Sequence, residues 1–174
     1  MRVTQFSISL AVAPSNRGFG FAVFEGQSIL VDWRVKTVKG DKNEQTLAKL
    51  KALISQYQPA VLVIQDYSAH GSRRSPRIQE LGRSIMALAS EQGISVASIP
   101  DRELRRVFFG NRRGTKFEIA RILADQFPEE LGARLPRQRK PWMSQDYRMD
   151  IFDAVALSVA FWAKRLHRLL RFNN

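Results

Sequence analysis

The hydrophobic period of this chain changes once, near Gly40, and that change restricts the folds open to it. Before it lie three apolar stretches separated by tight turns. Phe6 to Ala13 reads as a buried strand and Ser15-Asn16-Arg17-Gly18 as a turn. Gly18 to Phe24 alternates Gly or Ala with Phe and Val, which suits a second strand. Glu25-Gly26-Gln27 makes another turn, and Ile29 to Val38 sets Ile29, Val31, Trp33 and Val35 along one side of a half-exposed strand. Connections this short join antiparallel neighbours, so the first 40 residues predict a three-stranded meander.

Past Gly40 the apolar residues recur at helical spacing. Leu47, Leu50, Leu53 and Ile54 mark a helix that Gln58-Pro59 ends. Ala60 to Ile64 is short, wholly apolar and rich in β-branched residues, as in a strand covered on both faces. Ser75-Pro76 opens a helix that runs to about Gln92 and stops at Gly93. Ile94 to Ile99 is a fifth strand. Asp101 is placed to cap a short helix through Phe108, followed by a basic turn over residues 110–114. Thr115-Lys116-Phe117-Glu118 has the form of a capping box for a helix ending near Phe127. Residues 129–147 read as irregular and basic, and Asp150 to Arg171 as a long last helix. The order predicts one α/β domain over residues 1–174, with a mixed five-stranded sheet flanked by helices.

The chain has 174 residues and no cysteine, which excludes disulfides, thiolate zinc sites and thiol nucleophiles. No apolar run approaches the roughly 20 residues needed to span a bilayer. The N-terminal stretch has no A-x-A-like site or long apolar core, and we read it as the first strand of a cytoplasmic protein. The net charge is +12, which favours a polyanionic partner, since each cation placed on a phosphate releases condensed counterions. Nucleic acid is preferred to a membrane surface because no helix joins a basic face to an exposed apolar one.

Asp150-Ile151-Phe152-Asp153 is the strongest chemical signal. On a helix the i, i+3 spacing puts both carboxylates on one face, and the repulsion between them is relieved by a divalent cation. Mg²⁺ is commonly held by one or two such carboxylates with waters and phosphate oxygens. The plainer reading is two acidic residues facing the helix dipole.

The order of elements resembles the RuvC family of Holliday-junction resolvases, within the RNase H-like superfamily. The matching pieces span almost the whole chain. Ser9 to Ser15 followed by Gly18-Phe19-Gly20-Phe21-Ala22 is similar to the family's first strand and turn. Val63-Ile64-Gln65-Asp66-Tyr67 is similar to its central strand, Leu81-Gly82-Arg83 to part of the next helix, and Thr115-Lys116 to a segment carrying a lysine. Asp150-x-x-Asp153-Ala154-x-Ala156 is similar to its closing motif. The resemblance implies a mixed RNase H-like sheet, a structure-selective endonuclease, and two Mg²⁺ or Mn²⁺ ions held by four carboxylates. It assigns Asp150 and Asp153 as metal ligands and Lys116 as the active-site lysine. A plain exposed first-turn lysine is the other reading of Lys116. At the remaining two ligand positions the chain has Ala13 and Gln65. Ala has no ligand atom and Gln only a neutral carbonyl oxygen, so metal binding is expected to be weak or absent and cleavage impaired. A natural pseudonuclease and a deliberately silenced site both fit this pattern. Asp66 follows Gln65 and is expected on the opposite face of the strand unless a bulge re-aims it.

Three basic clusters suit phosphate contacts: Arg73, Arg74 and Arg77; Arg105, Arg106, Arg112, Arg113 and Lys116; and Arg134, Arg137, Arg139 and Lys140. His70 lies beside the first. Trp142 offers a stacking face for a base or sugar, but a core plug anchoring its loop is favoured. Tyr67 fits either a wedge in an opened junction or rim packing. Phe108-Phe109 reads as core, and Phe161-Trp162 as core or dimer surface. The expected partner is branched or duplex DNA, with a homodimer carried over from the resemblance. The alternatives are a non-catalytic DNA- or RNA-binding module, a protein-interaction domain on the same fold, and an RNA-associated basic protein with a coincidental Asp pair.

Overall fold

A computed structural model describes residues 7–68 and 73–172. The proposed contribution of His70 and the first residue of the expected first strand, Phe6, lie outside these residues. Five strands form one sheet in the order β3-β2-β1-β4-β5. They are β1 (Ile8–Pro14), β2 (Gly18–Glu25), β3 (Ile29–Thr37), β4 (Val61–Gln65) and β5 (Ser95–Ile99). The first three pair antiparallel, while β4 runs parallel to both β1 and β5. This is the mixed five-stranded sheet that the sequence predicts.

The helices are α1 (Lys42–Tyr57), α2 (Pro76–Glu91), α3 (Asp101–Phe109), α4 (Lys116–Gln126), a short α5 (Pro128–Leu131) and α6 (Met149–Phe172). Strand alternation separates them into two layers. Leu10 and Val12 of β1, with Phe19, Phe21 and Val23 of β2, face Leu50 and Leu53 of α1 and Ile78, Leu81 and Ile85 of α2. Their neighbours Ala11, Ala13 and Ala22 face α6 and α4. The small residues on this second face let α6 lie close to the sheet. Gly20 is the tightest point: a Cβ there would sit 2.0 Å from the Asp150 carbonyl oxygen. Phe19, Phe21 and Phe152 are almost fully enclosed, each worth roughly 2–3 kcal/mol of burial.

Three local expectations need correction. A bulge between Val23 and Phe24 shifts the β2–β3 register, pairing Phe24 with Leu30 and Val23 with Asp32. Val31 is the extra residue, so Leu30, Trp33 and Val35 face the core, and Ile29 and Val31 are exposed. Asp101 does not cap α3; it is the first helical residue after Pro100, and no side chain caps that end. The irregular segment also contains helical turns, α5 and a 3₁₀ turn at Gly132–Arg134. By contrast the capping box is formed: the Thr115 hydroxyl accepts from the Glu118 amide, and the Glu118 carboxylate accepts from the Thr115 amide.

Candidate functional site

Two strand tips and two helix starts converge at one end of the sheet. The β1–β4 pairing ends with Val12 opposite Ile64, so Ala13 and Gln65 follow it side by side at the strand tips. Ala13 also pairs with Gly20, the residue against which the Asp150 backbone packs. Ala13, Gln65, Asp153, Lys116, Arg74 and Arg105 all line one narrow cleft. Next to it is a cavity of about 370 Å³, whose lining includes Ser15, Arg17, Arg74, Lys116, Asp150 and Asp153. The four positions singled out from the sequence and the lysine therefore share one locale.

The two aspartates have different surroundings. Asp150 is buried, 6% exposed. Burial raises its carboxyl above the ordinary range; the Ser15 hydroxyl bonded to it, Lys116 and Arg74 pull it back, and Asp153 pushes it up. Asp153 is more open and pairs with Lys116, Nζ to Oδ2 at 2.9 Å. The capping box fixes the start of α4, and Lys116 is the first residue of that helix. Its partner lies 37 residues further along the chain.

This donor set does not fit a two-metal centre. Among the described residues no group of three or more His, Cys, Asp or Glu side chains is placed to hold a metal ion. Ala13 contributes no donor and Gln65 a neutral one. The lysine ammonium supplies the positive charge beside Asp153. Asp66 does not make up the deficit, because its carboxylate accepts from the amide and hydroxyl of Ser68 in a local turn.

The remaining positions differ in availability. Arg73, Arg106, Arg113 and Arg137 are exposed. Arg77 is largely committed, donating to the Asn43 side chain at 3.0 Å and the Ser15 carbonyl at 3.3 Å, so it ties α2 to α1 and the β1–β2 turn. Arg105 bridges Asp101 and the Gly114 carbonyl. Arg112 pairs with Glu118 and lies over the Phe109 ring. Arg137 and Arg139 join Lys116 around a further cavity of about 330 Å³.

Two aromatics have alternative readings. Tyr67 is buried, with Arg74 over its ring at 5.5 Å and Gly82 leaving room for its edge. Desolvation pushes its hydroxyl up to about 12. A wedge requires a free ring, so of the two readings of Tyr67 packing is the one its burial matches. Trp142 is 77% exposed with Lys140 over its ring at 5.3 Å, and it plugs no core. Sequence reasoning missed Ser15, Arg17 and Tyr147. Only their nearness to the β1 tip and the Asp150 motif could have signalled them.

No protein-family model matches the chain, and neither does any curated protein sequence. Solved structures do. Thermus thermophilus RuvC superposes with a TM-score of 0.65 at 14% identity, covering 92% of this chain and 96% of that one. T. thermophilus RuvC in complex with a Holliday junction substrate gives 0.66 at 14% identity with the same coverage. The yeast mitochondrial Holliday junction resolvase Ydc2 gives 0.61 at 13% identity, covering 96% of this chain and 85% of that one. At such identities the likeness establishes architecture. The strand order, the helices on both faces and these superpositions agree: the chain has a RuvC-like fold of the RNase H-like α/β type.

Proposed function

We propose that this chain is a RuvC-like nucleic-acid-binding protein that holds branched or duplex DNA against a phosphodiester-cleaving site impaired as it stands. The observation that carries this is the gathering of Ala13, Gln65, Lys116 and Asp153 around one cleft, with Asp150 in the adjoining cavity. Relative to the four carboxylates the fold family uses, two anionic ligands are missing. Mg²⁺ or Mn²⁺ binding is accordingly weak or absent, while the positive rim remains. Arg17, Arg74 and Lys116 beside the cleft suit phosphate oxygens, which position a duplex without reading its sequence. One similar structure was determined with a Holliday junction substrate, which supports a branched partner. A homodimer facing a two-fold junction is the assembly this reading expects, within one domain over residues 1–174.

The test compares a four-way junction, linear duplex and structured RNA by gel shift across a salt series, then assays cleavage with Mg²⁺. The chain should bind DNA with affinity falling steeply with salt and should not cut. Ala13→Asp with Gln65→Glu should create Mg²⁺-dependent nicking of the junction. A tenfold preference for RNA, about 1.4 kcal/mol, would overturn the DNA reading. A double variant that stays silent on junction, flap and RNA–DNA substrates would end the nuclease lineage of the site.

A further inference from the structure

A groove of about 600 Å³ lies on the β3 side, outside the cleft. Its lining includes Trp33, Arg34, Arg134, Tyr147 and Arg148, with Asp32 as the single carboxylate. Three guanidinium groups against one acid give it a positive balance. The cations are unequally engaged. Arg148 is held by Asp146 through both carboxylate oxygens. Arg34 pairs with Asp32 while its side chain stays 66% exposed, so that pair is weak. Arg134 is exposed and has no ion pair among the described residues.

Tyr147 makes the groove part of a longer path. It is 51% exposed and lines both the groove and the 370 Å³ cavity containing Asp150 and Asp153. That cavity shares Lys116 with the 330 Å³ cavity lined by Arg137 and Arg139. Cations therefore flank the acidic pair on two sides, with an open aromatic ring at one junction. Successive phosphates beside stacking aromatics are the ligand this pattern fits.

The geometry points to a second nucleic-acid subsite: a strand leaving the carboxylate cleft passes over Tyr147 and sets its phosphates on Arg34 and Arg134 in the β3-side groove. This rests on the DNA-binding reading above and adds the route of the flanking arm. Arg34 and Tyr147 carry no role in the sequence motifs. Arg134 belongs to the third basic cluster, and its position puts it beside β3 instead of with Arg137 and Arg139.

The experiment measures fluorescence anisotropy with four-way junctions having long or very short arms. Arg34→Ala/Arg134→Ala is compared with Lys51→Ala/Arg83→Ala, which removes the same charge from exposed positions on α1 and α2. Thermal melts confirm that both variants fold. Removing two phosphate-binding cations at 0.1 M salt should weaken binding roughly sixtyfold, ten to the power 1.8, and lower the salt slope by about 1.8. The groove variant should show this on long arms and lose most of it on short ones. Tyr147→Ala should weaken long-arm binding, and Tyr147→Phe should restore it. Equal losses in the groove and control variants, or losses independent of arm length, would overturn the subsite while leaving DNA binding intact. Failure of the unmodified chain to bind any junction would overturn the function and the subsite together.

Discussion

The strand tips and the helix starts meet at one cleft, but they differ in charge. On the strand side, Ala13 and Gln65 are neutral. On the helix side, Asp150 and Asp153 remain, balanced by Lys116 and the nearby Arg74. The difference teaches that packing can shape one locale whose two sides carry different charge. Sheet register and the Gly20–Asp150 packing position the locale, and neither depends on the charges inside it. On the helix side Lys116 pairs with Asp153 and Arg74 acts on Asp150 through its charge, so the acidic pair is offset within the chain.

The largest effect should come from charging the strand side alone. Ala13→Asp adds a third carboxylate at a position 5% exposed, near Asp150. Urea unfolding in EDTA should show a loss of about 3 kcal/mol, with much of it recovered in millimolar Mg²⁺. Equal stability with and without Mg²⁺ would break the contrast between the halves. A smaller change should follow from loosening the helix side. Thr115→Ala removes half of the capping box that holds Lys116 at the start of α4 and should cost about 1 kcal/mol. It should also weaken junction binding, since Lys116 loses its anchor; unchanged binding would make that anchor irrelevant.

The smallest effect is a pH dependence. The Asp150 carboxyl is raised by burial, so the folded chain holds this proton more tightly than the unfolded one. Its stabilising contribution is complete below the unfolded carboxyl value of about 3.9 and is lost as pH rises through the folded value. Asp150→Asn should therefore melt with the unmodified chain near pH 3 and a degree or two higher at pH 7. A lower melting temperature at pH 7 would show that Lys116 and Arg74 stabilise the charge beyond the cost of burying it.

Much of the fold is legible in the sequence. The period change near Gly40, the capping box at Thr115–Glu118 and the Asp150–Asp153 spacing are local signals, and each has its counterpart in the structure. The β3 bulge is not legible, because an extra residue at Val31 leaves the apolar pattern intact and shows itself only against the partner strand. Exposure is also hard to read. Trp142 and Tyr67 are both aromatics on connecting segments, yet one is in solvent and the other is packed on Gly82.

By itself the sequence determined the five strands, the longer helices, their order, the absence of thiol chemistry and the acidic pair, because periodicity, capping and composition act within a few residues. Only the tertiary structure decided which arginines are free, that Lys116 meets Asp153 across 37 residues, and that Tyr147 links two cavities. Those facts depend on how separate elements pack, and packing is set by the whole sheet at once.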